Sequence, residues 1–374
     1  MKWTKSDFSL FFQWPGVEGM LNQIERVGRI CYKSVGTRYY AVPEKEFNLS
    51  QIPMTSLEDG IDIFITNKKP SAFADKDLYY ISIKNIYSGH LPEMYSKYEI
   101  KEDDDATKVH YLVGKGIFKN LTAKDFVSNL IENGHYAMLE HGTVFLTVPA
   151  YRLDILLHYI SNKYTRIRYT LTHYLITTNY RVVVEHGYEN DLKFFEETAM
   201  HYERPCVRFI MDRAGSQSVE RHRGKHGISF AQESTRYCNY SKDKFGNELT
   251  FIIPEWMRVL SDNYSEKELA ELTDTELVNK LASKYPSVKK ICKEFKNVEK
   301  LYIDLTTNEE DKFKAEDARG VLPLLLKTEF VMTAFTDDWK HFFDLRCDSH
   351  AHPDLRTIAR QLKYNFDMIF MDYE

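Results

Sequence analysis

The sequence predicts a mixed fold of α-helices and β-strands around a substantial buried core. Two patterns carry that expectation. Segments with apolar residues three and four apart alternate with short apolar runs that end near proline or glycine. Hydrophobic residues make up 43% of the 374 and aromatic ones 14%, enough to fill one large domain or two of ordinary size.

Taken in order, a strand opens the chain. A helix follows over 19–34, where Met20, Leu21, Ile24, Val27, Ile30 and Cys31 fall close to helical spacing. Pro43, Pro53, Pro70 and Pro92 punctuate residues 36–118, which carry an exposed charge run at 101–105 and two candidate strands, 63–66 and 79–83. Thr122 and Asp125 have the spacing of a capping box. Phe126, Val127, Leu130 and Ile131 then form one helical face, which Asn133 and Gly134 close. A buried strand is expected over 144–148, a helix over 153–164 and a strand over 179–184. Residues 205–210 read as a strand or the start of a helix. A helix starting within 215–218 would carry Arg221 and Arg223 in its body. Residues 251–254 form a short strand ending at proline. Ser265 and Glu268 cap a helix expected to reach Lys284, where Pro286 breaks it. A second helix runs to about residue 300, its many charges forming a solvated face.

Charge and cysteine content narrow the function. The formal net charge is −5, which argues against a general nucleic-acid binder, since such proteins neutralise phosphates with excess Lys and Arg. The five cysteines, Cys31, Cys206, Cys238, Cys292 and Cys347, are scattered and form no C-x-x-C pair. Such a set reads as reduced thiols of a cytoplasmic protein. No apolar run approaches the length that spans a bilayer, so no membrane role is expected.

One stretch stands apart. Glu220-Arg221-His222-Arg223 gathers planar donors suited to phosphate and carboxylate oxygens. Gly224 and Gly227 allow close backbone approach to an anion. The polar tail Ser229-x-x-Gln232-Glu233-Ser234-Thr235-Arg236-Tyr237 can read the edge of a heterocycle. Packing gives no reason for such a run, and the chemistry points to a phosphorylated, ring-containing ligand. The bland reading is a solvated basic patch. Two further sets draw attention. His135, Glu140 and His141 lie within seven positions, as do Arg346, His350 and His352. Neither has the second ligand cluster that a metal site needs, so no metal is expected.

The stretch from Arg221 to Tyr237 resembles the hallmark motif of the flavin-dependent thymidylate synthases, in which Arg-His-Arg is followed by seven residues and a serine. Here ten residues separate Arg223 from Ser234, an expansion by three within 224–228. Three further segments are similar to the family: Gly134-His135-x-x-x-x-Glu140-His141, Ala318-Arg319-x-x-Leu322-Pro323, and Leu345-Arg346-x-Asp348. Departures are Ala137 for the usual Ser or Thr, Phe335 and Asp337 for an Asn-x-Arg pair, and His341 for a later Asn.

The resemblance implies an α+β fold with a central antiparallel sheet flanked by helices. It implies one domain over 1–374, with insertions at about 36–118 and 149–204, assembled as a homotetramer. It implies FAD-dependent reductive methylation of dUMP to dTMP, with 5,10-methylenetetrahydrofolate and NADPH as co-substrates and no cysteine nucleophile. Arg346 would be the catalytic residue, stabilising an ionised uracil ring. His135, Arg221, His222, Arg223, Gln232 and His341 would contact FAD. Ser218, Arg221, Gln232, Glu233, Ser234, Thr235, Arg236, Arg319 and Arg346 would contact the nucleotide. Two other classes stay open at this stage: an RNA- or nucleotide-binding module built on the basic run, and a metal hydrolase built on His135, His141, His350 and His352.

Overall fold

The structure, a computed structural model, describes residues 1–32, 123–221, 227–242 and 246–369, with the backbone of four strands between them, Arg38–Pro43, Asp62–Thr66, Leu78–Lys84 and Ile117–Phe118. The fold is α+β, with antiparallel sheets and many helices. The chain divides into two compact units. One comprises Met1–Phe12 and Glu203–Glu374, the other Gln13–Tyr202.

The first unit is built on a four-stranded antiparallel sheet. Its strands stand in the order Ser229–Gln232, Lys327–Thr333, Cys206–Asp212, Asp7–Phe11. Period-two alternation in the 206–212 strand sends Val207, Phe209 and Met211 to one face, where they join the core. The register pairs Phe209 with Phe330, and their rings stack 4.7 Å apart. Two helices, Thr336–Arg346 and Pro353–Ile369, cover that face with Trp339, Phe342, Phe343, Leu355, Ile358, Leu362 and Phe366. Trp339 Nε1 also donates to the Pro205 carbonyl at 3.1 Å, which fixes the first of these helices along the sheet. Truncating a fully buried aromatic of this kind costs about 3–5 kcal/mol.

A second core in the same unit lies under a short parallel pair, Lys2–Thr4 with Thr250–Ile252. Phe251, Met257, Leu277, Leu281, Val288 and Tyr302 fill it. The Ser265 and Glu268 capping box is present, but the helix it opens stops at Ala270. A second capping box, Thr273 with Glu276, starts a new helix, Asp274–Lys284, so the single helix expected here is two. Pro286 opens the next helix, Pro286–Thr307, at a position where its missing N–H costs nothing.

In the other unit, the helix Gly16–Tyr32 is buried along most of its length, and two strands precede it in the chain. Its Arg29 is buried and paired with Glu25 at 3.2 Å one turn back, so this helix end faces the core. The helix Ala123–Glu132 ends at Gly134, whose φ of +70 suits glycine; Thr122 lies outside the described residues. The strands Thr143–Pro149, His173–Asn179 and Arg166–Tyr169 form an antiparallel sheet in that order. The strand expected over 179–184 is a helix, Tyr180–His186. Asn179 ends the preceding strand, and its side chain accepts from the Val182 N–H at 3.0 Å. Gly187, at φ +71, closes the helix. Two good caps outweigh the strand preference of three consecutive valines. The helix expected over 153–164 stops earlier, as Leu153–Tyr159. The four strands from 38 to 118 pair antiparallel in the order 62–66, 78–84, 38–43, 117–118.

Candidate functional site

The motif is presented by a short helix, Arg213–Glu220, that leaves the 206–212 strand. Asp212 caps it, accepting from the Gly215 N–H at 2.7 Å, so the helix starts earlier than the sequence suggests. Burial raises the pKa of the Asp212 carboxyl above its ordinary value, while that hydrogen bond works the other way. As a result Arg221 is the C-terminal cap and not part of the helix body. His222 and Arg223 lie outside the described residues, with the first part of the three-residue expansion.

Arg346 is the last residue of the 336–346 helix. One of its guanidinium nitrogens donates to the Ser218 carbonyl at 2.6 Å. Burial lowers its pKa, and the charge of Arg221 lowers it further. The two helices therefore bring their C-terminal ends, and two guanidinium groups, to one place. A helix C-terminus favours a cation, but two cations facing each other favour a bound anion. Arg221 is exposed and makes no ion pair among the described residues. The Ser218 hydroxyl bonds back to the Ala214 carbonyl at 3.1 Å, so it is the Ser218 backbone that holds Arg346. His341, half-buried, stands five residues before Arg346 on the same helix.

The polar tail runs along the sheet edge. Gln232 ends the 229–232 strand and donates to the Ser216 hydroxyl at 2.8 Å and to Thr328 at 3.2 Å. Glu233 turns inward and is 2% exposed. Its carboxylate accepts from Tyr240 at 2.7 Å, Lys327 at 3.4 Å and the Glu329 N–H at 3.2 Å. Burial, with that carboxylate adding to it, pushes the Tyr240 phenol well above its usual pKa. The Glu233 carbonyl also accepts from Arg213 at 3.1 Å, tying the tail to the motif helix. Glu329 in turn takes Lys327 at 2.5 Å and Arg208 at 2.5 Å. After Glu233 the chain turns tightly. The Ser234 carbonyl accepts from the Tyr237 and Cys238 N–H groups, and its hydroxyl accepts from the Arg236 N–H. Thr235 is half-buried in this turn. Arg236 is exposed and meets Glu316 at 3.5 Å. Arg319, three residues after Glu316, is also exposed, so the cost of a partly buried guanidinium does not arise there.

Sequence reading overlooked the ionic support beneath the tail, namely Lys327, Glu329, Arg208, Arg213 and Tyr240. A signal was available. Lys327 and Glu329 stand at alternate positions of a strand otherwise destined for the core, and buried charges require partners. Buried Arg204, donating to the Ser229 hydroxyl at 3.4 Å, is a second such case.

His135 belongs to the other unit. It precedes a 3₁₀ turn, Tyr136–His141, and its Nδ1 lies 3.0 Å from the Tyr32 hydroxyl, the rings stacked at 5.2 Å. Glu140 accepts from Arg181 at 2.7 Å, and His141 is fully buried. His350 is exposed beside Asp348, and His352 lies 3.7 Å from Asp354. Among the described residues no three His, Cys, Asp or Glu side chains converge in a way that could hold a metal ion.

Residues 198–370 match the family model described as thymidylate synthase complementing protein. That span contains every residue of the site from Arg213 to Arg346. No curated protein matches the chain.

Proposed function

We propose that this chain, whose residues 198–370 match the thymidylate synthase complementing protein family, is a flavin-dependent thymidylate synthase that converts dUMP to dTMP. FAD is the redox cofactor, 5,10-methylenetetrahydrofolate the carbon donor and NADPH the reductant. The observation that carries the reading is the meeting of Arg221 and Arg346 at two helix ends, two like charges that an anion would relieve.

The described residues fit the anionic parts of these ligands. Arg221 is exposed and would face the flavin phosphates or the nucleotide, with His222 and Arg223 beside it in the chain. Gln232 and His341 would complete the flavin contacts of this unit, and His135 is the further residue that the resemblance assigns to the flavin. When bound, the flavin supplies the redox chemistry, passing to the nucleotide the reducing equivalents it takes from NADPH. The protein's own work is orientation and charge. Arg346, held by the Ser218 carbonyl, places its guanidinium against the uracil oxygen and nitrogen and stabilises negative charge developing on the ring. The Ser234–Arg236 turn, Ser218 and Arg319 hold the nucleotide, the phosphate falling to Arg236 and Arg319. Glu233, although expected to touch the nucleotide, supports the turn from beneath through Tyr240 and Lys327.

A mechanism without a cysteine nucleophile is supported by the thiols themselves. Cys31, Cys206, Cys238 and Cys292 are buried, and burial pushes the half-buried Cys347 thiol up, away from the reactive thiolate. Among the described residues no helix is long and apolar enough to cross a membrane. We place the enzyme in the cytoplasm as a homotetramer.

The test is the visible spectrum of the purified protein, followed by anaerobic addition of NADPH with and without dUMP. The expected result is an oxidised-flavin spectrum that bleaches faster when dUMP is present. A colourless protein that cannot be reconstituted with FAD would sink the reading.

A further inference from the structure

The first unit also holds a groove of about 540 Å³ that shares Arg236 with the proposed nucleotide contacts and is otherwise unused by the proposed chemistry. Arg236, Tyr237, Lys242, Lys312, Phe313 and Lys314 line it. None of Ser218, Arg221, Gln232 or Arg346 does. Its volume falls within the range of small-molecule sites.

Two properties set the groove apart from an ordinary solvated face. The first is charge. Four cations line it against one carboxylate, Glu316, which lies 3.5 Å from Arg236 and 3.9 Å from Lys314. Lysine and arginine charges spread over a convex surface repel little. Gathered around a concavity, they create a positive potential that an anion relieves. On a chain of net charge −5, this local excess runs against the overall balance. The second property is the aromatic lining. Tyr237 is 60% exposed and Phe313 43% exposed, and both open onto this one groove. Large rings left in water at a basic cleft offer stacking faces for a base, and the lysines offer point charges for phosphates.

We infer that this groove binds a ring-bearing nucleotide carrying two or more phosphates. One such ligand is NADPH, the reductant of the proposed reaction; the other is a nucleoside triphosphate acting as an effector. The assignment to NADPH rests on the proposed function, whereas the groove's ligand class rests on its own lining. A ringless polycarboxylate would engage the lysines but leave Tyr237 and Phe313 in water. A monophosphate would leave most of the positive charge unmatched.

The test is calorimetric titration of the full chain with adenosine 2′,5′-bisphosphate and, separately, with ATP. The titrations are repeated on a Lys312→Glu, Lys314→Glu double variant and on Phe313→Ala, and dUMP is titrated in parallel. Both probes, or one of them, bind the parent protein. The double variant weakens that binding at least tenfold and Phe313→Ala severalfold, while dUMP affinity stays as in the parent. These side chains are exposed or half-exposed, so circular dichroism of the variants matches the parent. Displacement of the probe by NADPH identifies the reductant; binding of ATP that NADPH leaves undisturbed identifies an effector. The inference is overturned if neither probe binds, if the double variant binds as well as the parent, or if excess dUMP displaces the probe. A protein that binds a probe but neither FAD nor dUMP keeps the groove and loses the proposed reaction.

Discussion

Two groups of charges meet the motif from distant parts of the sequence and have opposite fates in the fold. Around Glu233 every charge has a counterpart. The carboxylate is met by Tyr240, Lys327 and a backbone N–H, and Glu329 is met by Lys327 and Arg208. Around Arg346 one neighbouring charge, Arg221, has the same sign, and the Ser218 backbone carbonyl is an acceptor. The first group is scaffold: buried, neutral in sum and closed. The second brings two like charges together, which a bound anion would relieve. Charge of one sign gathered at a motif is a candidate for function, and charge balanced within the protein is a candidate for structure.

That contrast can be broken in three ways, from the largest effect downward. Removing Glu233 takes away the acceptor of the Tyr240 hydroxyl and one of the two carboxylates that Lys327 meets. Glu233→Ala is expected to cost about 3–5 kcal/mol of stability, read from urea unfolding. A Glu233→Ala, Lys327→Met double variant recovers part of that loss, because the cation that faced Glu233 is removed with it. Full additivity of the two changes would show that the network is not a unit.

Arg346→Ala should act in the opposite manner. It is expected to lower thymidylate formation about 100- to 1000-fold, the scale for losing one preorganised donor to a developing negative charge. The urea midpoint should stay near that of the parent, since the change also relieves repulsion from Arg221. A large stability loss with little loss of turnover would reverse the roles assigned to the two groups.

The smallest effect concerns the cap of the motif helix. Burial raises the folded-state pKa of Asp212. Its contribution to stability is therefore fully present below the ordinary carboxyl pKa, about 3.9, and is lost as pH rises through the raised folded value. Asp212→Asn keeps an oxygen for the Gly215 N–H but carries no charge. It should gain about 1 kcal/mol or less at neutral pH and nothing near pH 3, measured by thermal unfolding across that range. A loss at neutral pH would mean that the ionised cap is favourable at this helix end.

Several parts of this architecture were legible in the sequence because local chemistry decides them. The capping box at Ser265 and Glu268, the stop at Gly134 and the buried 143–149 strand each follow from residues a few positions apart. The failures have a common cause. Val182, Val183 and Val184 look like a strand until Asn179 caps the segment as a helix, and the helix expected to reach Lys284 is interrupted by a second capping box at Thr273. In both, a cap of a few atoms overrode the average preference of a longer run. The site shows the same division. Arg221, Gln232 and Ser234 stand out in the sequence by type and spacing, and Arg346 by the resemblance, as candidates. Glu233 could not be sorted from them, because a carboxylate facing a ligand and one facing a buried lysine look alike in sequence.

By itself, the sequence determined the family chemistry. Arg-His-Arg, the polar tail and the later arginine elements are chosen for what their side chains do to anions and rings, and that property travels with residue type. Only the tertiary structure decided which charges answer one another. Lys327 lies 94 positions from Glu233, and Arg346 lies 128 from Ser218. Electrostatic pairing depends on distance and burial, and the antiparallel register of the 206–212, 229–232 and 327–333 strands, with the 336–346 helix packed on their core face, sets both.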